Sequence, residues 1–478
     1  MHIQEEAARC LFCQDAPCTK ACGKGDPARA LRAVRFGNEE LAAQWLEGCS
    51  EEDLARAEEA CIHYDRPLRI REIAKELPVA PVPDKSPSLS IDFCGIRCEN
   101  PFFLASSAVC TNYGMVARAF EAGWGGVFYK TICKQEIREV SPRFDAVGKP
   151  FIGFRNMEQL SENPVEVDFD ILKRLKRDYP AKVVIASIMG QTEEDWIELA
   201  KKAEEAGCDA VELNFSCPQM RLSGMGSDVG QDPELVTFFT AYVKRNVKIP
   251  VIPKMTPNIT HIAQPATGAY FAGADAISAI NTIKSVTLGE GSDVSGRQTK
   301  SGYSGRAVKP IALRYILDLA SNPIMQGKVQ LSGVGGIETW RDALEFIQLG
   351  CRNVQVCTAV MQYGYRIIDD LIAGLQHYMA ERGVESLESL VGERLPQFLL
   401  PSNLDRDTVV YPKFDRTRCI GCGRCTISCA DGGHQALVFD QEKRQPQLIG
   451  TKCVGCHLCR LVCPTGAIGL SKRVAKKA

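Results

Sequence analysis

Between residues 100 and 360, short apolar runs alternate with longer stretches whose apolar residues recur every three to four positions. The short runs fall at 102–105, 126–129, 183–186, 210–213, 250–253, 276–280, 329–331 and 353–356, and read as strands buried on both faces. The stretches between them, such as 193–206, 233–245 and 340–349, carry one apolar stripe and read as helices. Thr192 followed by Asp195 is a capping-box start. Gly123, Gly207, Gly273 and Gly350 each close a helical stretch three residues before a strand, where glycine adopts the left-handed cap at no steric cost. Eight such strand–helix units in about 290 residues predict a (β/α)8 TIM barrel. The rival is an open doubly wound sheet, whose G-x-G-x-x-G fingerprint after a first strand is missing.

The flanks read differently. Residues 1–80 are charged, alanine-rich and helical in pattern, with a cysteine cluster at the front. Pro78, Pro81, Pro83 and Pro87 mark a linker. The barrel is expected over 88–385, a connector with Pro396 and Pro401 over 386–411, and a last domain over 412–478.

That last domain carries Cys419-x2-Cys422-x2-Cys425-x3-Cys429 and Cys453-x2-Cys456-x2-Cys459-x3-Cys463-Pro464. In this ferredoxin-type spacing the fourth cysteine of each run ligates the other cluster. Cys419, Cys422, Cys425 and Cys463 are therefore expected on one [4Fe–4S] cluster, and Cys453, Cys456, Cys459 and Cys429 on a second. Zinc or disulfides rarely use this spacing twice with a closing proline.

The overall fold class expected is thus α/β: a TIM barrel, a C-terminal two-[4Fe–4S] ferredoxin-like domain and a small α-helical N-terminal cysteine-rich domain. The net charge of −1 gives no indication of nucleic-acid or anionic-membrane binding. No apolar run approaches about 20 residues, so no membrane span is expected. The 22 cysteines, in a long chain whose first residues do not resemble a signal peptide, fit a reducing cytoplasm.

In a TIM barrel the chemistry lies at the C-terminal strand ends. Those ends read Ala105-Ser106-Ser107, Lys130-Thr131, Ser187, Asn214-Phe215-Ser216-Cys217-Pro218, Lys254-Met255-Thr256-Pro257-Asn258, Asn281-Thr282, Ser332-Gly333-Val334-Gly335-Gly336 and Cys357-Thr358. Either lysine alone could be a core ion pair. Two lysines, several amides and a glycine-rich turn at one face suit a flavin. A lysine beside N1 stabilises the reduced ring, and backbone N–H groups hold its phosphate. Cys217 opens a loop over the barrel mouth and is expected to act as a proton donor, rather than as a buried small hydrophobe. Gly224 to Asp228 is a lid candidate.

Asn214-Phe215-Ser216-Cys217-Pro218, Lys254-Met255-Thr256-Pro257-Asn258 and Asn281-Thr282 resemble the FMN barrel of dihydropyrimidine dehydrogenases. Ile152-Gly153-Phe154-Arg155-Asn156-Met157-Glu158 and Gly302-Tyr303-Ser304-Gly305 add to the likeness. Dihydroorotate dehydrogenases share a looser version without the fused two-cluster tail. The resemblance implies that Cys217 protonates C5 of uracil or thymine while FMN delivers hydride to C6. It places Asn156, Glu158, Asn214, Ser216, Asn281 and Thr282 around the pyrimidine. It places Ala105, Ser106, Lys130, Thr131, Lys254, Ser304, Gly305, Gly335, Gly336, Cys357 and Thr358 around FMN. Gln219 stands where animal members have histidine. An FAD/NAD(P)H-binding region is missing, so a separate subunit carrying one, or a ferredoxin, is the expected electron donor, in an oligomeric assembly.

Cys10-x2-Cys13-x4-Cys18-x3-Cys22 resembles the start of the N-terminal iron–sulfur domain of full-length members and of glutamate synthase small subunits. One further [4Fe–4S] cluster is expected on Cys10, Cys13, Cys18 and a fourth ligand among Cys22, Cys49 and Cys61. Zinc, or a cluster completed by another subunit, are the alternatives. Cys94, Cys98, Cys110, Cys133, Cys208 and Cys351 are expected to be structural thiols.

Overall fold

The computed structural model describes residues 3–78, 86–146, 152–217, 226–288, 296–297 and 299–476. The eight expected strands are present: β1 (Phe102–Leu104), β2 (Gly126–Phe128), β3 (Val183–Ile188), β4 (Ala210–Asn214), β5 (Val251–Lys254), β6 (Ala276–Ala279), β7 (Gln330–Val334) and β8 (Cys351–Val356). They close into a barrel in chain order, each parallel to its neighbours. Every residue of β1 to β6 is buried, as strands covered on both faces must be. The expected helices form at Glu193–Glu205, Pro233–Lys244 and Trp340–Gln348. Thr192 accepts from the Asp195 N–H, and Asp195 reaches back to the Thr192 N–H. Gly123, Gly207, Gly273 and Gly350 take φ of 112°, 81°, 91° and 106°, so the repeated punctuation is left-handed capping.

One element escaped the periodicity. A four-stranded antiparallel sheet runs in the order Ile283–Ser285, Ser301–Ser304, Phe154–Asn156, Phe144–Asp145. Its strands are two to four residues long, too short to show alternation. They belong to the loops after β2 and β6.

Six helices precede the barrel: α1 (Ile3–Ala7), α2 (Pro17–Cys22), α3 (Pro27–Arg35), α4 (Glu39–Trp45), α5 (Glu51–Glu59) and α6 (Ile70–Glu76). They enclose a small core of their own, with Leu31, Val34, Leu54 and Ile73 at its centre. They also pack on the barrel, and residues Met1–Leu395 form one compact unit. The fastening is polar at its middle. Arg32 Nε lies 2.5 Å from Asp370 Oδ2, with both side chains buried. The Asn38 amide donates to the Asp370 carbonyl at 2.8 Å. Phe12 and Phe36 both meet the ring of Tyr363 edge-on.

Pro396–Ala478 form the second unit. Its strand Thr408–Phe414 pairs with Ile468–Ala475, and Leu437–Asp440 pairs with Gln445–Leu448. Helix Arg424–Gly432 carries Cys425 and Cys429 of the first cysteine run, and helix Leu458–Leu461 carries Cys459 of the second. Among the described residues, no helix is long and apolar enough to cross a membrane.

Burial pushes the Asp370 carboxyl up to about 6, against the pull of Arg32. Arg32→Ala leaves that carboxylate buried and uncompensated, and should weaken the fastening of α3 by about 3 kcal/mol. The deficit shrinks as pH falls towards 6, because without the pull of Arg32 the carboxyl protonates above that value and the unpaired charge disappears. Hydrogen exchange over residues 27–35 of the two proteins, at pH 7.5 and 5.5, measures both effects.

Candidate active site and cluster sites

One open cleft of about 890 Å³, its mouth included, sits at the C-terminal ends of the strands. Seventeen of the residues singled out from the sequence line it. From β1 and β2 come Ala105, Ser106, Lys130 and Thr131. The loop sheet supplies Asn156, Glu158, Ser304 and Gly305. Asn214 and Cys217 follow β4, Lys254 ends β5, and Asn281 and Thr282 follow β6. Gly335, Gly336, Cys357 and Thr358 follow β7 and β8. Ser216 is the exception: it is fully buried beneath the floor. There its hydroxyl donates to Asn214 Oδ1 at 2.8 Å and accepts from the Asn281 amide at 2.7 Å.

The polar floor is a connected network. The Asn214 amide donates to Thr131 Oγ1 at 2.9 Å. Thr131 Oγ1 in turn lies 3.0 Å from Ser106 Oγ and 2.9 Å from Ser187 Oγ. Asn156 Oδ1 accepts from the Glu158 N–H at 2.8 Å, and the Asn156 amide donates to Ser304 Oγ at 3.3 Å. Asn281 Oδ1 accepts from the Thr282 N–H at 2.8 Å. The amides are thereby fixed in orientation before any ligand enters.

Each cleft lysine faces a buried carboxylate. Lys130 Nζ donates to Glu158 Oε1 at 2.7 Å, and Arg143 approaches the other oxygen at 3.2 Å. Lys254 Nζ lies 3.6 Å from Glu212 Oε1, which also accepts from Ser187 Oγ at 2.9 Å. Glu212 is fully buried. Sequence reading missed it because it sits inside β4 rather than at its end, and a single acid in a strand carries no motif. Gln355 and Val308 also line the cleft without having been singled out.

Cys217 is 5 % exposed, and its carbonyl accepts from the Ser227 N–H at 3.0 Å. Ser227–Gly230 form a helical turn. Gly230 belongs there, since a Cβ would sit 2.0 Å from the Phe215 carbonyl oxygen. Pro218, Gln219 and the first part of the lid candidate, Gly224 and Met225, lie outside the described residues.

The cleft suits FMN on its own chemistry. Gly335 and Gly336 take φ of 130° and 77° in the turn after β7, and a Cβ on Gly336 would come 2.7 Å from the Lys309 nitrogen. Backbone approaches a ligand there without side chains in the way. The two ammonium groups of Lys130 and Lys254 line the cleft and would offset the negative charge that a reduced flavin ring gathers.

The C-terminal unit holds two small voids. Cys419, Cys422, Cys425 and Cys463 line one, of about 360 Å³. Cys429, Cys453, Cys456 and Cys459 line the other, of about 350 Å³. Each void takes three cysteines from one run and the fourth from the other, the crossing expected from the spacing. The Ala436 N–H donates to Cys429 Sγ at 3.3 Å, the type of hydrogen bond that tunes a cluster.

At the N-terminus, burial pushes the Cys10 thiol up to about 12, and Cys18, Cys13 and Cys61 add to the shift. Cys22 stands apart, with its Sγ 3.7 Å from that of Cys49. Of the expected structural thiols, Cys98, Cys110, Cys133, Cys208 and Cys351 are buried and Cys94 is half-buried.

Comparison with known proteins agrees with this architecture. The dihydroorotate dehydrogenase family model matches residues 88–379, and a 4Fe-4S dicluster domain matches 413–470. The chain is 50 % identical over 398 residues to the NAD-dependent dihydropyrimidine dehydrogenase subunit PreA of Escherichia coli (strain K12), covering 81 % of this chain and 97 % of that protein. The chain belongs to the dihydropyrimidine dehydrogenase family. The chloroplastic NADP(+) dihydropyrimidine dehydrogenase of Arabidopsis thaliana is 37 % identical over 350 residues, 69 % of this chain and 82 % of that one. The catalytic subunit of dihydroorotate dehydrogenase B (NAD(+)) from Pyrococcus abyssi is 37 % identical over 309 residues, 64 % of this chain and 98 % of that one. The protein is therefore an oxidoreductase with an FMN barrel and two [4Fe–4S] clusters.

Two outcomes follow. Glu212→Gln removes one buried negative charge beside Lys254. Electrons added to the flavin then meet less repulsion, so its midpoint potential should rise with FMN content unchanged. Anaerobic spectroelectrochemical titration reads this directly. Cys463→Ser should lose the cluster of the Cys419 run and keep the other, lowering iron by about four per chain. Iron analysis and spin counting of the reduced protein check it.

Proposed function

We propose that the protein reversibly reduces the 5,6 double bond of uracil or thymine to the dihydropyrimidine. When bound, FMN supplies the hydride for C6. Cys217 gives the proton to C5 from its thiol in the reducing direction and takes it back in the other. Asn156, Asn214, Asn281 and Thr282 bind the ring edges, since a planar ring with alternating donors and acceptors matches amides that offer both. Glu158 adjoins them and anchors Lys130, and Ser216 holds Asn214 and Asn281 in place from below. Lys130 and Lys254 stabilise the reduced ring. Ala105, Ser106, Thr131, Ser304, Gly305, Gly335, Gly336, Cys357 and Thr358 seat the rest of FMN. The observation that carries this reading is one cleft lined by Cys217 together with the four ring-binding side chains and both lysines.

Electrons reach the flavin through iron–sulfur clusters, from a partner that carries FAD and NAD(P)H or from a ferredoxin. The name of the Escherichia coli relative, a subunit of an NAD-dependent enzyme, supports a separate donor. The reducing cytoplasm is the fitting compartment.

A third [4Fe–4S] cluster belongs on Cys10, Cys13, Cys18 and Cys61. Cys10 and Cys18 pack against the N-terminal core that holds Cys61, which supports the set. Their spread favours a cluster over zinc. Zn–S bonds of about 2.3 Å bring thiolates close together. Among the described residues, however, Glu40, His377 and Glu381 are the sole group of three or more ligand atoms within 4.8 Å of one another. The eight C-terminal cysteines are spread in the same way.

Purified protein reduced anaerobically should be reoxidised by uracil or thymine with formation of the dihydro product. A flavin that stays reduced with both bases, yet passes electrons to other acceptors, would defeat the substrate assignment. Cys217→Ser should slow that reoxidation by about 10²-fold or more while FMN content stays constant. Unchanged turnover would remove Cys217 from the proton step.

A further inference from the structure

The fourth cysteine of the N-terminal run finds a different partner from the first three. Cys22 ends α2, and Cys49 directly precedes the Ser50 cap of α5. Their sulfurs are 3.7 Å apart, across 27 residues of chain. Both thiols point at the Lys24 carbonyl oxygen, at 2.6 Å and 3.0 Å. The local backbone makes room for the pair. Gly25 has φ of +68°, and a Cβ there would come 2.5 Å from Cys49 Sγ and 2.6 Å from the Trp45 carbonyl oxygen. Cys22 is buried, whereas Cys49 is half-buried and open to a small reagent.

Two thiolates alone make a poor metal site. Among the described residues, no third histidine, cysteine or carboxylate ligand atom joins this pair within 4.8 Å. Two sulfurs in contact, with one reachable from solvent, instead suit thiol–disulfide exchange.

We infer that Cys22 and Cys49 form a dithiol–disulfide couple that staples the frame of the N-terminal cluster. The oxidant is a low-molecular-weight disulfide such as oxidised glutathione. Cys49 loses its proton and attacks one sulfur of the reagent, breaking its S–S bond and releasing one small thiol. Cys22 then loses its proton and attacks the Cys49 sulfur of the mixed disulfide, releasing the second. In total, the two cysteines lose two electrons and two protons, and the reagent gains them as two thiols. The new bond joins the end of α2 to the start of α5. Those two helices already lie side by side, with Arg56 Nε donating to the Ala21 carbonyl at 3.2 Å. Cys18 sits on α2, and Cys61 follows α5 by two residues. The staple therefore fixes the spacing of two ligands of the proposed cluster, and this consequence rests on that ligand assignment. Disulfides of this transient kind are the ones found in reducing compartments.

The test uses the full holoprotein, purified anaerobically and treated with oxidised glutathione. Remaining thiols are alkylated, and the chain is digested without reduction for mass spectrometry. A cross-linked Cys22–Cys49 peptide is expected, absent from Cys49→Ser. Iron release to a chelator should slow at least threefold on oxidation of the natural chain and stay unchanged in Cys49→Ser. Complete alkylation of both cysteines, or a glutathione adduct persisting on Cys49, would overturn the couple. So would a loss of about four irons per chain in Cys22→Ser, which would make these residues cluster ligands. About eight irons per chain with the cross-link present would instead remove the N-terminal cluster and leave the couple standing.

Discussion

Two buried ammonium groups can line one cleft only if negative charge faces them, and the barrel mouth is organised around that requirement. Glu158 meets Lys130 from the loop sheet, and Glu212 meets Lys254 from the neighbouring strand. The second pair depends on register. Glu212 pairs across to Ile252, and Lys254 pairs across to Asn214, so acid and lysine lie two residues apart on the same face. A slip of one residue would turn every side chain of β5 to the other face and strand both charges. The two pairs differ in closeness: Lys130 is bonded to Glu158 at 2.7 Å, whereas Lys254 is held 3.6 Å from Glu212. Such a site accepts an electron-rich ring.

The amide network depends on the same floor. Thr131, Ser187 and Ser106 link the strand ends to Asn214, and Asn214 links to Ser216 and Asn281. Preset amides lose little freedom when a flat heterocycle enters, so the strength of the contacts goes into orientation. The cleft thus couples two kinds of preorganisation. One is electrostatic, at the two lysines, and the other is geometric, in the amides.

The cluster sites follow another logic, in which covalent ligands take the place of a large core. The hydrophobic cluster of the C-terminal unit is made of Cys425, Cys429, Ala436, Leu437, Cys459 and Ile468, so cysteines make up half of it. Metal binding and folding are linked in such a domain. The N-terminal helices have a larger apolar core and a buried ion pair to the barrel, and so stand on packing as well.

Much of this was legible in the chain. The β1–β8 pattern showed because strands buried on both faces are short and apolar throughout, and because a glycine closes each of several helices. The crossing of the C-terminal cysteines showed because ligand spacing is a local property. The loop sheet did not show, although it brings Asn156, Glu158 and Ser304 to the cleft, because strands of two to four residues gain stability only from neighbours distant in sequence. Glu212 was silent for the same reason: its meaning is the lysine on the next strand. The sequence by itself determined which residue types stand at the strand ends and which cysteines share a run, since both depend on short-range spacing. Only the tertiary structure decided which carboxylate faces which lysine, that Cys22 lies beside Cys49, and that Ser216 supports the floor instead of lining it. Those outcomes depend on contacts between segments far apart in the chain, where closure and packing rather than periodicity set the distances.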